Sequence, residues 1–186
     1  AKQEISSRDI SKVTKTLKSN FLTQGPEVEK FEKRICKFTG VNYSVAVNSA
    51  TSGLHISCLT LGLKTGDYLW TSPNSFVASS NCALYCGAKV DFVDINKENF
   101  NICPEKLKIK LKKTPPKKLP KILVIVHFGG NPCDLIKINK LSKRYNFKII
   151  EDASHAIGSR YKNTYIGDCK YSDLTVFSFH PVKIIT

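Results

Sequence analysis

The chain has 186 residues, 41% of them hydrophobic, enough for one sizeable core in one globular domain. Its net charge is +14, yet only Arg8, Arg34, Arg144 and Arg160 among the 29 basic residues are arginine. Arginine is the preferred reader of phosphates and base edges, so the lysine excess weighs against a basic nucleic-acid-binding module, the non-enzymatic reading that charge alone supports. No apolar run reaches the roughly 20 residues that cross a bilayer, and the first residues lack a signal-peptide pattern, so no membrane association is expected and the cytoplasm is the default location.

Apolar residues recur at helical spacing over 8–19 (Ile10, Val13, Leu17) and 26–38 (Val28, Phe31, Ile35, Phe38). The loop between them ends at Pro26, which suits a first helical turn. A strand over 43–47, a helix over 51–61, a strand over 67–71 and a helix over about 76–85 follow. Then come a short strand over 89–93, a helix over 104–113, a strand over 122–126, a helix over 134–144, and strands over 147–150 and 174–179. Strand and helix alternating at this spacing predict an α/β fold with a mostly parallel sheet, whose ligands sit at the carboxyl ends of the strands. The lysines at 106–121 read as a solvated helix face and a loop, with recruitment of an anionic nucleotide-sugar as a second use. Seven cysteines (Cys36, Cys58, Cys82, Cys86, Cys103, Cys133, Cys169) contain no CxxC pair; reduced thiols and no metal site are expected.

The residues that carry chemistry cluster at predicted strand ends. Lys183 closes Ser178-Phe179-His180-Pro181-Val182-Lys183, and Asp152 stands in Glu151-Asp152-Ala153-Ser154-His155-Ala156. An amine for a Schiff base and a carboxylate to keep a pyridine nitrogen protonated are what pyridoxal phosphate requires. Asn48-Ser49-Ala50-Thr51-Ser52-Gly53 opens a helix, where backbone N–H groups and the hydroxyls of Thr51 and Ser52 suit a phosphate or simply cap the helix. Phe76 is placed either to stack on a planar cofactor or to join the core. His155 lies three residues after Asp152 and is a partner for a cofactor oxygen; Ser178 is a hydroxyl donor. Asp134, after the turn glycines Gly129 and Gly130, reads as a helix cap.

These pieces, with Leu22-Thr23-Gln24-Gly25-Pro26 and Ser75-Phe76-Val77-Ala78, run in one order over nearly the whole chain. Together they make it similar to the DegT/DnrJ/StrS-type sugar-nucleotide aminotransferases, a fold-type I pyridoxal-phosphate family. The resemblance implies a three-layer α/β sandwich with a mostly parallel central sheet, the large cofactor-binding domain, spanning 1–186. A substrate-contacting segment over about 1–40 precedes its core. Lys183 is implied as the Schiff-base lysine and proton shuttle, Asp152 as the pyridinium partner, and His155 as a contact on the ring's oxygen side. Phe76 is implied on the ring face, with Thr51, Ser52 and Ser178 on the phosphate. Asn20, Phe21, Leu22, Thr23 and Gln24 resemble the loop that touches the nucleotide-sugar.

Within the family the motifs are most similar to transaminases that aminate C4 of a UDP-4-keto-6-deoxy-N-acetylhexosamine, with L-glutamate as donor, toward pseudaminic acid. UDP-4-amino-4-deoxy-L-arabinose-type and other nucleotide-sugar aminotransferases are the alternative. Dehydratases on the same scaffold carry histidine where Lys183 stands. Methionine is absent even at position 1, and the family continues past the lysine into a small carboxyl-terminal domain. An amino-terminal fragment of a homodimeric enzyme, lacking that small domain, is therefore expected.

Overall fold

The computed structural model describes residues 3–185. Five parallel strands form the central sheet: β1 (Tyr68–Thr71), β2 (Lys89–Phe92), β3 (Ile122–Val126), β4 (Lys148–Asp152) and, after a small hairpin, β7 (Leu174–Val176). Their spatial order is β2-β1-β3-β4-β7. The sequence Ile-Leu-Val-Ile-Val makes β3 a central strand, because all five side chains are buried and a strand covered on both faces needs no polar alternation.

The pleat sends β3 side chains to opposite faces. Leu123 and Ile125 join Ile149, Trp70, Leu107 and Ile138 on the side of helices α5 (Pro104–Lys113) and α6 (Leu135–Tyr145). Ile122 and Val124 join Ile150, Val176, Leu54 and Cys82 on the side of α3 (Ala50–Thr60) and α4 (Ala78–Tyr85). The result is the expected three-layer sandwich. Each fully buried Leu or Ile contributes roughly 1.5–3 kcal/mol, so these two clusters carry most of the stability.

Helix ends follow their local chemistry. The Ser49 hydroxyl accepts the Ser52 N–H at the start of α3, and Asp134 accepts the Lys137 N–H at the start of α6, as its position predicts. Helices α1 (Ser7–Leu17) and α2 (Pro26–Thr39) lie outside the sandwich, and α1 buries no side chain. Helix α2 is pinned by two ring contacts: Phe31 meets Phe179 edge-on at 5.0 Å, and Phe38 stacks on Tyr165 at 4.7 Å.

The expected strand over 43–47 is not one. The segment is extended but pairs with no strand; Tyr43 and Val45 are 87% and 80% exposed. Its polar groups go to α2 instead: the Ser44 hydroxyl donates to the Glu32 carbonyl, and the Ala46 N–H donates to the Glu32 carboxylate at 2.7 Å. An alternating apolar pattern predicts strand geometry, and it does not predict a ladder partner. Smaller differences fall at element ends. The helix expected from Phe76 begins at Ala78, and the strand expected over 174–179 stops at Val176, where the chain turns toward Lys183. The antiparallel hairpin β5 (Arg160–Tyr161) and β6 (Thr164–Tyr165) was not expected; Lys162 turns it at a φ of 54°.

Candidate active site

The carboxyl ends of β1, β3, β4 and β7 open on the same edge of the sheet because the strands are parallel. Asp152 ends β4 on the α3–α4 face and is buried. Ser79, within α4, donates its hydroxyl to one Asp152 oxygen at 2.6 Å, and Ser75 bonds to Ser79 at 2.7 Å behind it. Ser154 donates its hydroxyl, at 2.6 Å, and its N–H, at 3.2 Å, to the other oxygen. Three donors from two elements therefore fix the carboxylate in one orientation.

Lys183 comes back over this edge on the segment after β7. Its Nζ lies 2.9 Å from His155 Nε2. Burial, then the Lys183 cation, hold the His155 pKa below its ordinary value, against a weaker opposite pull from Asp152. The neutral imidazole accepts a hydrogen bond from the lysine ammonium, and Lys183, His155 and Asp152 form one electrostatic neighbourhood. Gly130, at a φ of +83°, lets the turn after β3 close onto this group: a Cβ there would sit 2.5 Å from the His155 carbonyl oxygen.

The start of α3 lies beside β7, where a Cβ on Gly53 would come within 3.0 Å of Val176. Ser49 takes the Ser52 N–H, and the Ser49 and Ser52 hydroxyls are 3.0 Å apart. The amides of Ala50 and Thr51 have no acceptor one turn back, which is the general condition of a helix start that receives an anion. Ser178 is buried just past β7, and its hydroxyl accepts the His180 N–H at 3.5 Å.

Two expected parts of the site, Phe76 and the loop over residues 20–24, stand apart. Phe76 is 71% exposed and lines a cavity of about 250 Å³ with Thr71, Ser75 and Ser79, so its ring lies outside the core. Asn20, Phe21, Leu22, Thr23 and Gln24 form an exposed loop with local bonds, such as the Phe21 N–H to the Ser19 hydroxyl, and none of these bonds reaches Lys183. Sequence reasoning missed Ser79, Ser75 and Ser154 as the holders of Asp152. Ser154 was legible as an Asp-x-Ser turn; Ser79 required knowing that α4 packs on the sheet close enough to reach the end of β4.

The arrangement matches pyridoxal phosphate in its donor set. A buried carboxylate faces the site, an amine lies beside a neutral imidazole, and a hydroxyl-rich helix start packs close against β7.

Residues 3–186 match the family model described as the DegT/DnrJ/EryC1/StrS aminotransferase family, and the chain belongs to that family. It is 44% identical over 184 residues to a UDP-4-amino-4,6-dideoxy-N-acetyl-beta-L-altrosamine transaminase of Campylobacter jejuni, covering 99% of this chain and 47% of that protein. PseC of Helicobacter pylori, an aminotransferase of pseudaminic acid biosynthesis, superposes with a TM-score of 0.88 at 31% identity, over 100% of this chain and 48% of PseC. Spr1654 of Streptococcus pneumoniae, in its PLP form, superposes with a TM-score of 0.88 at 28% identity, over 98% of this chain and 49% of that one. The chain thus spans about half the length of the relatives it matches.

Proposed function

We propose that this chain is the cofactor-binding part of a pyridoxal-phosphate-dependent aminotransferase acting at C4 of a UDP-4-keto-6-deoxy-N-acetylhexosamine, with L-glutamate as donor. The observation that carries the reading is Lys183 Nζ at 2.9 Å from His155, next to an Asp152 held by Ser79 and Ser154. The 44% identity to the altrosamine transaminase supports the choice of sugar. The UDP-4-amino-4-deoxy-L-arabinose type is the alternative within the family.

When bound, the cofactor supplies an aldehyde carbon for the amine and an aromatic ring that takes up electron density. The chain's own residues set the conditions. Neutral His155 accepts a hydrogen bond from Lys183 and holds the lysine nitrogen at the site, where it would be the group that joins the cofactor's aldehyde carbon. Asp152 accepts the ring N–H, and Ser79 and Ser154 prevent it from rotating away. The start of α3, with Thr51, Ser52 and Ser178, takes the phosphate. Phe76 covers one ring face. Residues 20–24 reach the nucleotide-sugar.

Residues 1–186 act as the large domain, working in the cytoplasm as half of a homodimer. Helix α3 exposes Ile56 and Leu59, and α4 exposes Leu84 and Tyr85 at its carboxyl end. A helix that is apolar on its outer as well as its inner face is one that is covered, and a second copy there would bring its own residues to the site. Among the described residues no helix is long and apolar enough to cross a membrane.

The deciding experiment uses the full chain. The wild type is expected to show a visible cofactor absorbance band that Lys183→Ala abolishes, and to form an amine at C4 of the sugar by mass spectrometry and NMR. A band retained in the variant removes Lys183 from its role, and a deoxygenated product assigns the dehydratase reaction instead.

A further inference from the structure

Behind Asp152, on the α5–α6 face of the sheet, lies a second polar cluster for which the chemistry above has no use. His127, just past β3, is fully buried, and Glu151, the residue before Asp152, is 1% exposed. His127 Nε2 is 2.7 Å from one Glu151 oxygen. The Cys133 N–H donates to Nδ1 at 3.0 Å. Burial opposes an imidazolium here and the Glu151 carboxylate favours one. The Cys133 amide decides the matter, because an Nδ1 that accepts its proton has no place for another. The ring's single proton is on Nε2 and is donated to Glu151. The other Glu151 oxygen accepts the hydroxyls of Ser172 and, at 3.2 Å, Thr175 in β7. The backbone closes the ring of contacts, since the His127 N–H donates to the Asp152 carbonyl at 3.2 Å.

Side chains from β3, β4 and β7 therefore meet on one carboxylate at the level where Asp152 leaves the sheet. Polar groups buried this deeply are seldom a gain in stability over apolar ones of the same volume. What they add is a single allowed geometry. Residue 151 is held through its side chain and residue 152 through its carbonyl, both by His127, so the peptide between them is held from rotating.

We propose that His127 and Glu151 are positioning residues that hold Asp152 in register with the ring nitrogen of the bound cofactor, an inference that rests on the function proposed above. Neither residue touches the cofactor, since both point to the opposite face of the sheet.

The test is equilibrium binding of pyridoxal 5′-phosphate to the full chain, with visible circular dichroism of the bound cofactor as the second readout. Glu151→Gln offers one acceptor oxygen in place of two, so the Nε2 proton and the Ser172 and Thr175 hydroxyls can no longer all be accepted in the present geometry. It is expected to raise the cofactor Kd at least tenfold and to halve the dichroic band per bound cofactor. Ser172→Ala removes one donor with little change in volume and is the variant for use if Glu151→Gln does not fold. It is expected to raise Kd about threefold. A folded variant that melts lower but keeps the wild-type Kd and dichroic band shows a purely structural pair and overturns the proposal. Failure of the wild type to bind the cofactor, or a band that survives Lys183→Ala, is a different result: it overturns the functional reading and this inference with it.

Discussion

At the scale of single residues, the site depends on who holds whom. Ser79 donates to Asp152 from a fully buried position. A hydrogen bond to a charged group contributes roughly 1.5–3 kcal/mol, and its loss leaves the carboxylate short of a donor. Ser79→Ala is therefore expected to weaken cofactor binding by about tenfold in a fluorescence titration, with little change in the secondary structure seen by circular dichroism. His155 gives a prediction in pH. Its pKa is held below the ordinary 6.5 by burial first and by Lys183 second. Below that value the unfolded chain binds a proton that the folded chain resists, so stability is full above pH 6.5 and falls as the pH drops toward the folded-state midpoint. Proton NMR of the His155 ring is expected to show a midpoint below that of free imidazole. Lys183→Ala, which removes the neighbouring cation, should move the midpoint upward; no movement would separate the two side chains.

At the scale of elements, the turn after β3 decides how close His155 can come. Gly130→Ala puts a methyl group 2.5 Å from the His155 carbonyl oxygen on a backbone at a φ of +83°. A side chain in that conformation costs of order 1–3 kcal/mol before any clash. Neighbouring Gly129 also has a positive φ, with nothing within 4 Å of its Cβ position. Urea unfolding is expected to rank Gly130→Ala well below Gly129→Ala, and only the former should displace the His155 resonance. Elements were largely legible in the sequence where local chemistry and tertiary context agree. Five buried apolar residues in a row made β3 plain, and Asp134 announced the start of α6. Legibility failed where a partner distant in sequence decides. Residues 43–47 alternate like a strand, but Glu32 takes the Ala46 amide and no ladder forms. Lys183 and Asp152 were visible as motif residues at strand ends, whereas Ser79 and the His127–Glu151 pair became visible only when the sheet brought residues 73 and 24 positions apart into contact.

At the scale of the whole molecule, charge and apolar surface pull in opposite directions. The net charge of +14 is partly answered around β2, where Lys106 and Lys110 pair with Asp94 and Asp91 and Lys110 also lies 4.7 Å over the Trp70 ring. Exposed Ile56, Leu59, Leu84 and Tyr85 instead leave an apolar face on α3 and α4. If a second copy covers that face, Leu84→Asp in the full chain should shift sedimentation from dimer to monomer and weaken cofactor binding with it; an unchanged dimer would place the interface elsewhere.

The two margins of the sheet are unequal in a way that matters to anyone who concentrates this polypeptide. The β2 margin is guarded by lysines, one of which caps the Phe92 carbonyl at 2.7 Å. Along β7, Leu174, Thr175 and Val176 carry no charge, and among the described residues no strand joins their outer side. Bare margins of that composition template stacking between molecules, and mutual repulsion of like-charged copies is what holds them apart. Added salt, by screening that repulsion, should hasten turbidity in this stretch of chain, and a lysine at position 174 should delay it.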